Sequence, residues 1–403
     1  MRITTMVPIL NIYLFLTLYF YRLFAWICGV FMRKRCGADG ILFLENFPVE
    51  NAGYQYRAYK WKEMFEKNGQ RCEVLTIFAN KNDFDEQFRN VPMLLVRAMR
   101  RRFRQCLYAR QFSVVIVRRE LLQFNDYGNL FMEKFLLQIH PNVILDFDDD
   151  ISASKKEPRK INNLFSRLLW ENGNKFNDSL RLYKRFVVGS DYLKERVLSE
   201  NRNIGKDDVL VMPTCVDYNK FPAKVYNKKT EEIVFGWIGG NHNLHYLDVL
   251  VEPLNKLAHD FRFKLVVVAG RDYANTNAQF RIENKRWSLD SEKDLIKSFD
   301  IGLMPIYDNA VGRGKCGFKL LQYMGLGVVG VATNVTVNGE IITDGENGFL
   351  VKADNSDWYE VLKKVLSLQK NFSAIGECAR KTAEERYSFS ACVEKYAAEF
   401  VGK

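Results

Sequence analysis

The chain has 403 residues, 47% of them hydrophobic, enough apolar material for two ordinary cores rather than one. Its formal net charge of +11 suits nucleic acid, an anionic membrane or phosphorylated substrates, and composition does not choose among them. Eight cysteines fall without a Cys-x-x-Cys pair and only four histidines are present, which argues against a zinc cluster and for free thiols in a reducing compartment.

From Ile3 to Tyr21 there is no charge, and beyond Arg22 the apolar run resumes from Leu23 to Met32, before Arg33-Lys34-Arg35. About 20 apolar residues suffice to cross a bilayer as a helix. Residues 1–35 are therefore expected to be a membrane-anchor segment, with a span over 3–21, Arg22 at the interface and Leu23 to Met32 along the surface. The run is too long for a signal peptide, and the positive charge on its C-terminal side places the rest of the chain on the cytoplasmic face of the membrane, single-pass or peripheral. The alternative is that these residues precede a start at Met32.

Gly40-Ile-Leu-Phe-Leu44 is a short apolar run suited to a buried parallel strand, and Gly53-Tyr-Gln-Tyr-Arg57 then leads into an amphipathic helix with Ala58, Trp61, Met64 and Phe65. Glu73 to Phe78 reads as the second strand. Met93 to Arg110 is an arginine-rich helix whose apolar side holds Leu94, Leu95, Ala98, Met99, Phe103 and Leu107, with Arg97, Arg100, Arg101, Arg102 and Arg104 as a basic collar. Such a helix either lies on an anionic membrane or is a solvated face packed against the sheet.

After a further strand at Ser113 to Val117, Asn142-Val-Ile-Leu-Asp-Phe-Asp-Asp-Asp150 ends an apolar strand in carboxylates, at the sheet edge where open α/β folds bind ligands. Three roles stay open for them: a metal site, a general base or electrostatic stabiliser, and a helix N-cap. Lys184 to Leu193 is a strand with Ser190 or Asp191 capping the next helix, and Val209 to Asp217 another strand. Lys220 to Glu232 has Pro222 and no apolar periodicity, which marks a linker.

Ile233-Val-Phe-Gly-Trp-Ile-Gly-Gly-Asn-His242 repeats the pattern of strand, glycines and helix, and Lys264 to Gly270 is the next strand. The densest signal lies between Phe299 and Val351. It contains Asp300-Ile-Gly-Leu-Met-Pro305, Gly312-Arg-Gly-Lys-Cys-Gly-Phe-Lys-Leu-Leu-Gln-Tyr-Met324, Gly327-Val-Val-Gly-Val-Ala332 and Gly339-Glu-Ile-Ile-Thr-Asp-Gly-Glu-Asn-Gly-Phe349. A Gly-rich turn opening a helix favours anions, because its backbone approaches closely and the first-turn N–H groups are unpaired; Lys315 and Lys319 add positive charge there. Trp358 to Leu368 is a helix, and Glu377 to Phe400 one or two closing helices broken near Ser388.

Taken together, the Asp-Ile-Gly-x-Met-Pro strand end, the Lys-x-Gly-Phe-Lys-Leu-Leu-x-Tyr-Met helix start, the Gly-x-Val-Val-x-Val-Ala strand and the Asp-Gly-x-Asn-Gly-Phe-Leu tail resemble the nucleotide-sugar half of glycosyltransferase family 4. The resemblance implies an α/β GT-B fold of two facing Rossmann-like domains. It sets an acceptor domain at 38–219, a linker at 220–232, a nucleotide-sugar domain at 233–385 and a closing helix at 386–403 that crosses back. It also implies a retaining enzyme that needs neither cofactor nor metal, with a nucleotide-diphosphate sugar as donor and a lipid-linked or saccharide acceptor.

By the same resemblance, Gly239, Gly240, Lys315, Gly317, Phe318, Gln322 and Glu340 bind the donor, and Trp287 to Lys297 holds the base. Lys319 stabilises the leaving diphosphate, Asp148 and Asp149 match a His-Asp pair near the transferred sugar, and Arg57 matches a Tyr-Arg turn near a phosphate or the acceptor. Arg100 and Arg101 would meet acceptor or membrane. Two departures stand out. Many members have a pair of glutamates where this chain has Gly314 and Gln322, and an Arg and a Lys where it has Asn241, His242 and His245. A sugar-nucleotide epimerase and a catalytically silent scaffold share this outline; a nucleic-acid binder does not, since the basic residues are not interleaved with aromatics on one module.

Overall fold

Short apolar runs separated by helices become parallel strands, because helices cover both faces of such a sheet. The computed structural model describes residues 3–78, 80–86, 92–122, 130–151, 175–218, 221–226 and 232–398. It divides into two units, Met1–Met212 with Lys395–Lys403, and Pro213–Glu394. Of the expected linker, residues 220 and 227–231 lie outside the described residues.

The first unit holds β1 (Ile41–Glu45), β2 (Cys72–Thr76), β3 (Val114–Arg118), β4 (Val143–Phe147), β5 (Arg185–Val188) and β6 (Val209–Val211) in the order β2-β1-β3-β4-β5-β6. All neighbours are parallel, and every residue of β1, β3 and β4 is buried. Because β2 lies on one side of β1 and β3 on the other, the chain reverses its winding there. The carboxyl ends of β1 and β3 therefore flank a topological switch point, the place where open α/β sheets bind ligands.

The second unit repeats the plan with β7 (Ile233–Ile238), β8 (Phe263–Ala269), β9 (Arg281–Arg286), β10 (Ile301–Met304), β11 (Val329–Thr333) and β12 (Phe349–Val351), ordered β12-β11-β10-β7-β8-β9. Here the switch point lies between β7 and β10. Asp300 opens β10 from the opposite end: its carboxylate accepts from the Val234 amide at 2.9 Å and pairs with Lys224 at 3.0 Å, fixing the strand's start. At the carboxyl end, the Tyr323 hydroxyl accepts from the Ile238 amide and donates to the Leu303 carbonyl, both at 3.3 Å, and so ties β7 to β10.

At the N-terminus the structure departs from the expected span over 3–21. One helix, Ile3–Phe31, runs through Arg22 without a break. Leu14, Leu18 and Ala25 are buried in the first unit's core, and Phe103 of the Pro92–Tyr108 helix meets Tyr21 at 5.6 Å and Phe24 at 5.4 Å between ring centroids. Part of this helix is thus domain core, although its Ile12–Phe31 stretch is long and apolar enough to cross a membrane. At the other end, Ser388 separates the helices Phe372–Tyr387 and Phe389–Ala398, its hydroxyl accepting from the Ala391 amide at 3.0 Å. Tyr396 then packs within the first unit, 4.5 Å from the Trp61 ring and 5.6 Å from Phe65.

Candidate active site

At the second unit's switch point the site is built from glycine and lysine. β7 ends at Ile238, and Gly239-Gly240 lead into a helical turn at Asn241. A Cβ on Gly239 would lie 2.7 Å from Cε of Lys319 and 2.6 Å from the Trp237 ring, so the lysine stem lies across the bare glycine. The Lys319 ammonium stands 5.6 Å from the centroid of the Trp237 ring. Lys319 occupies the first turn of the helix Phe318–Gly325, whose N-cap is Gly317 at φ +68°. No side chain caps that helix, and its N-terminal end carries the positive end of the helix dipole. Gly317 has no substitute: its φ is left-handed, and a Cβ would meet Cδ1 of Ile341 at 2.6 Å.

Lys315 is half-buried, and its ammonium has no hydrogen-bond or ion-pair partner among the described residues. Gln322 is only 3% exposed, and its amide Nε2 is a buried donor without a partner. Glu340 is exposed on the short helix Val337–Ile341. Two further residues escaped the sequence reading. Thr336 is held at φ +41° with its hydroxyl donating to the Arg313 carbonyl at 3.0 Å, and buried Asn338 has an unpartnered Oδ1 that faces Gly317. Trp287 donates to Glu292 at 2.8 Å within the stretch expected to hold the base.

The first unit's switch point is filled with charge. Asp146, within β4, pairs with Arg57 and with Arg118, the last residue of β3, at 3.4 Å. Asp148 accepts from Arg118 at 2.6 Å and from Arg119 at 3.1 Å, and Arg119 reaches Asp149 at 3.4 Å. Glu45 ends β1, accepts from the Asn46 and Phe47 amides at 2.7 and 3.1 Å, and stands 3.9 Å from Arg118. Burial alone would raise the Asp148 carboxyl, but Arg118, Arg119 and Arg57 hold it well below the usual carboxylate range. For Glu45 burial wins and its pKa goes up. Arg119 itself sits at φ +63°, its amide donating to the Asp146 carbonyl at 2.7 Å, a strained turn at the ligand-binding edge. An ionised, doubly paired Asp148 is a weak base and a strong fixed charge.

Two expectations are corrected here. Arg57, expected near a phosphate or the acceptor, is instead 1% exposed, in a π-helical turn (Gln55–Tyr59), and is bound to Asp146 and to the Met212 carbonyl at 2.8 Å. Arg102 does not belong to the basic collar. It is buried, donating to the carbonyls of Leu121 and Glu45 and to Asn46 and Gln105 at 2.8–3.0 Å, and burial lowers its pKa to about 10. Arg97, Arg100, Arg101 and Arg104 do stay exposed and line a cavity of about 570 Å³. Among the described residues no cluster of His, Cys, Asp and Glu suits a metal ion.

Residues 232–371 match the family model described as Glycosyl transferases group 1. No protein of curated function matches the chain by sequence. Among solved structures it is similar to a glycosyltransferase from Rickettsia africae, at 15% identity and TM-score 0.61 over 90% of this chain and 98% of that one. It is also similar to sucrose-phosphate synthase from Thermosynechococcus elongatus, at 12% identity and TM-score 0.65 over 89% and 98%. Anabaena HepE, solved in complex with UDP and glucose, aligns at 12% identity and TM-score 0.58 over 89% and 98%. The chain has the GT-B fold, and the match to the group 1 glycosyltransferase model falls within its second unit.

Proposed function

We propose that the protein is a retaining hexosyltransferase that moves a sugar from a nucleotide-diphosphate donor to a lipid-linked or saccharide acceptor, in cell-surface polysaccharide or glycolipid synthesis, at the cytoplasmic face of a membrane. The observation that carries the reading is Lys319 laid across Gly239 at the β7/β10 switch point, beside an uncapped helix N-terminus. When the bond from the sugar's anomeric carbon to the diphosphate breaks, negative charge grows on the departing oxygen. Lys319, Lys315 and the N–H groups of the first helical turn are the donors that stabilise it. The backbone at Gly239 and Gly240 comes close to the diphosphate because no side chain intervenes. Gln322, with its unmet amide donor, and Glu340 hold hydroxyls of ribose or sugar. Asp148 and Asp149, fixed by Arg118 and Arg119, supply a constant negative potential toward the transferred sugar rather than a base.

The test is a donor screen on the full chain in detergent, following thermal shift and slow nucleotide-diphosphate release across UDP-, GDP- and ADP-sugars. One donor should stabilise the protein and release its nucleotide, and Lys319→Ala should reduce the stabilisation and abolish the release. Stabilisation by no donor at millimolar concentration would replace this reading with that of a silent scaffold.

A further inference from the structure

The Ile3–Phe31 helix has two unlike faces. At 100° per residue, Leu14, Leu18 and Ala25 fall on one side, and that side is buried in the first unit's core. Leu16, Phe20, Leu23, Ile27 and Val30 fall on the other, and all are exposed, Leu16 and Phe20 by 61% and 62%. A contiguous apolar stripe of this kind on a water-facing helix marks an interaction surface. Tyr13, Tyr19 and Trp26 are exposed as well, side chains that favour the boundary between hydrocarbon and water.

Crossing a bilayer is a poor solution for this helix. Its Ile12–Phe31 stretch would place Arg22 close to the middle of the hydrocarbon, where a charge is costly, and would strip Leu14, Leu18 and Ala25 from the core. Lying in the interface costs neither. Arg22 opens onto a groove of about 510 Å³ shared with Lys134 and Gln138 of the Phe131–Ile139 helix, so its charge stays at headgroup depth. On the helix's other flank runs the Pro92–Tyr108 helix, with Arg97, Arg100, Arg101 and Arg104 exposed around the larger cavity. Among the described residues that line that cavity the one carboxylate, Glu73, is engaged by Tyr108 and by Arg71 at 3.1 Å. Cations thus border the apolar stripe on both sides, the charge complement of an anionic lipid surface.

We infer that the first unit seats on an anionic membrane with the Ile3–Phe31 helix lying in the interface rather than across it, its apolar face among acyl chains and Arg97, Arg100, Arg101 and Arg104 against lipid phosphates. This deepens the membrane contact in the proposed function and rests on that contact alone, not on the identity of the donor.

Flotation of the full chain with vesicles of phosphatidylglycerol and phosphatidylcholine, against phosphatidylcholine alone, tests it. Binding should favour the anionic vesicles, weaken with salt, and fall by about fivefold for each arginine changed in the series Arg97→Gln, Arg100→Gln, Arg101→Gln and Arg104→Gln. Unchanged binding in that series, with a circular dichroism spectrum matching the parent's, would overturn the phosphate contact. Phe20→Asp should abolish flotation on both vesicles while leaving the fold intact. In inverted membrane vesicles from cells producing the chain, an N-terminal epitope should be cut by added protease; its protection would show a spanning helix and defeat the in-plane placement. Absence from every membrane, or self-association through the apolar stripe instead, would remove membrane contact altogether. Donor-induced thermal shift, read in parallel, would still decide the transferase reading separately.

Discussion

The two units solve the same topological problem in opposite ways. Both place a switch point at the carboxyl ends of a parallel six-stranded sheet. In the first, β1, β3 and β4 end in Glu45, Arg118, Asp146 and Asp148, and each charge is answered by another. In the second, β7 ends in glycines and β10 in Pro305, while an uncapped helix and Lys319 face the gap. A crevice filled by paired charges has a fixed field, although Oε2 of Glu45 and Nε of Arg118 and Arg119 remain buried there without a hydrogen bond. A crevice opened by glycines and edged with cations is a place where a phosphate can be received.

Removing Arg118 is the hardest strike at this contrast. Arg118→Met leaves Asp146, Asp148 and Glu45 buried without their shared partner and should cost the first unit about 3–5 kcal/mol. Hydrogen exchange should report the loss in β1, β3 and β4 but not in β7 and β10; a loss shared by both sheets would mean the charges do not act locally. Lys319→Ala is the matching change in the open crevice. Its effect on folding should stay within about 0.5 kcal/mol. Nucleotide-diphosphate binding, measured by calorimetry, should weaken by about 1.5–3 kcal/mol, the worth of a hydrogen bond to a charged group.

Gly317→Ala should destabilise the second unit by about 1–3 kcal/mol, since it meets both a left-handed backbone and the Ile341 methyl. Urea unfolding followed by hydrogen exchange at β10 and β11 measures it. The smallest effect concerns pH. Asp148 has a folded pKa depressed below its unfolded value of about 3.9, so its stabilisation is full above that value and is lost as pH falls through the folded pKa. Asp148→Asn should therefore flatten the acid limb of the first unit's stability curve below about pH 4. An unchanged limb would show that Arg118 and Arg119 do not govern this carboxyl.

Most strands were legible because each is an apolar run too short to be a helix, and β9 was not, because Arg-Ile-Glu-Asn-Lys-Arg has an exposed edge's composition. The Gly-Phe-Lys helix start was legible for a local reason: the turn, its glycine and its lysine are adjacent in sequence. The charged crevice is assembled from distant segments instead. Val-Val-Ile-Val-Arg-Arg-Glu120 and Leu-Asp-Phe-Asp-Asp-Asp150 lie far apart in the chain, and only the pairing of β3 with β4 sets Arg118 against Asp146 and Asp148. Two strand ends of opposite sign were the available signal. Arg102 had one too: helical spacing puts it with Leu95, Met99 and Cys106 on the buried side, which a count of arginines overlooks.

The place of Tyr396 has a consequence for how the protein is made. It fills the space between Trp61 and Phe65, yet the ribosome adds it only after the whole second unit. The first unit to emerge therefore waits, with two large aromatic rings uncovered, until the other has been translated. Nascent chains halted before Lys395 should bind holding chaperones through that gap, and release from them should coincide with translation of the last helix.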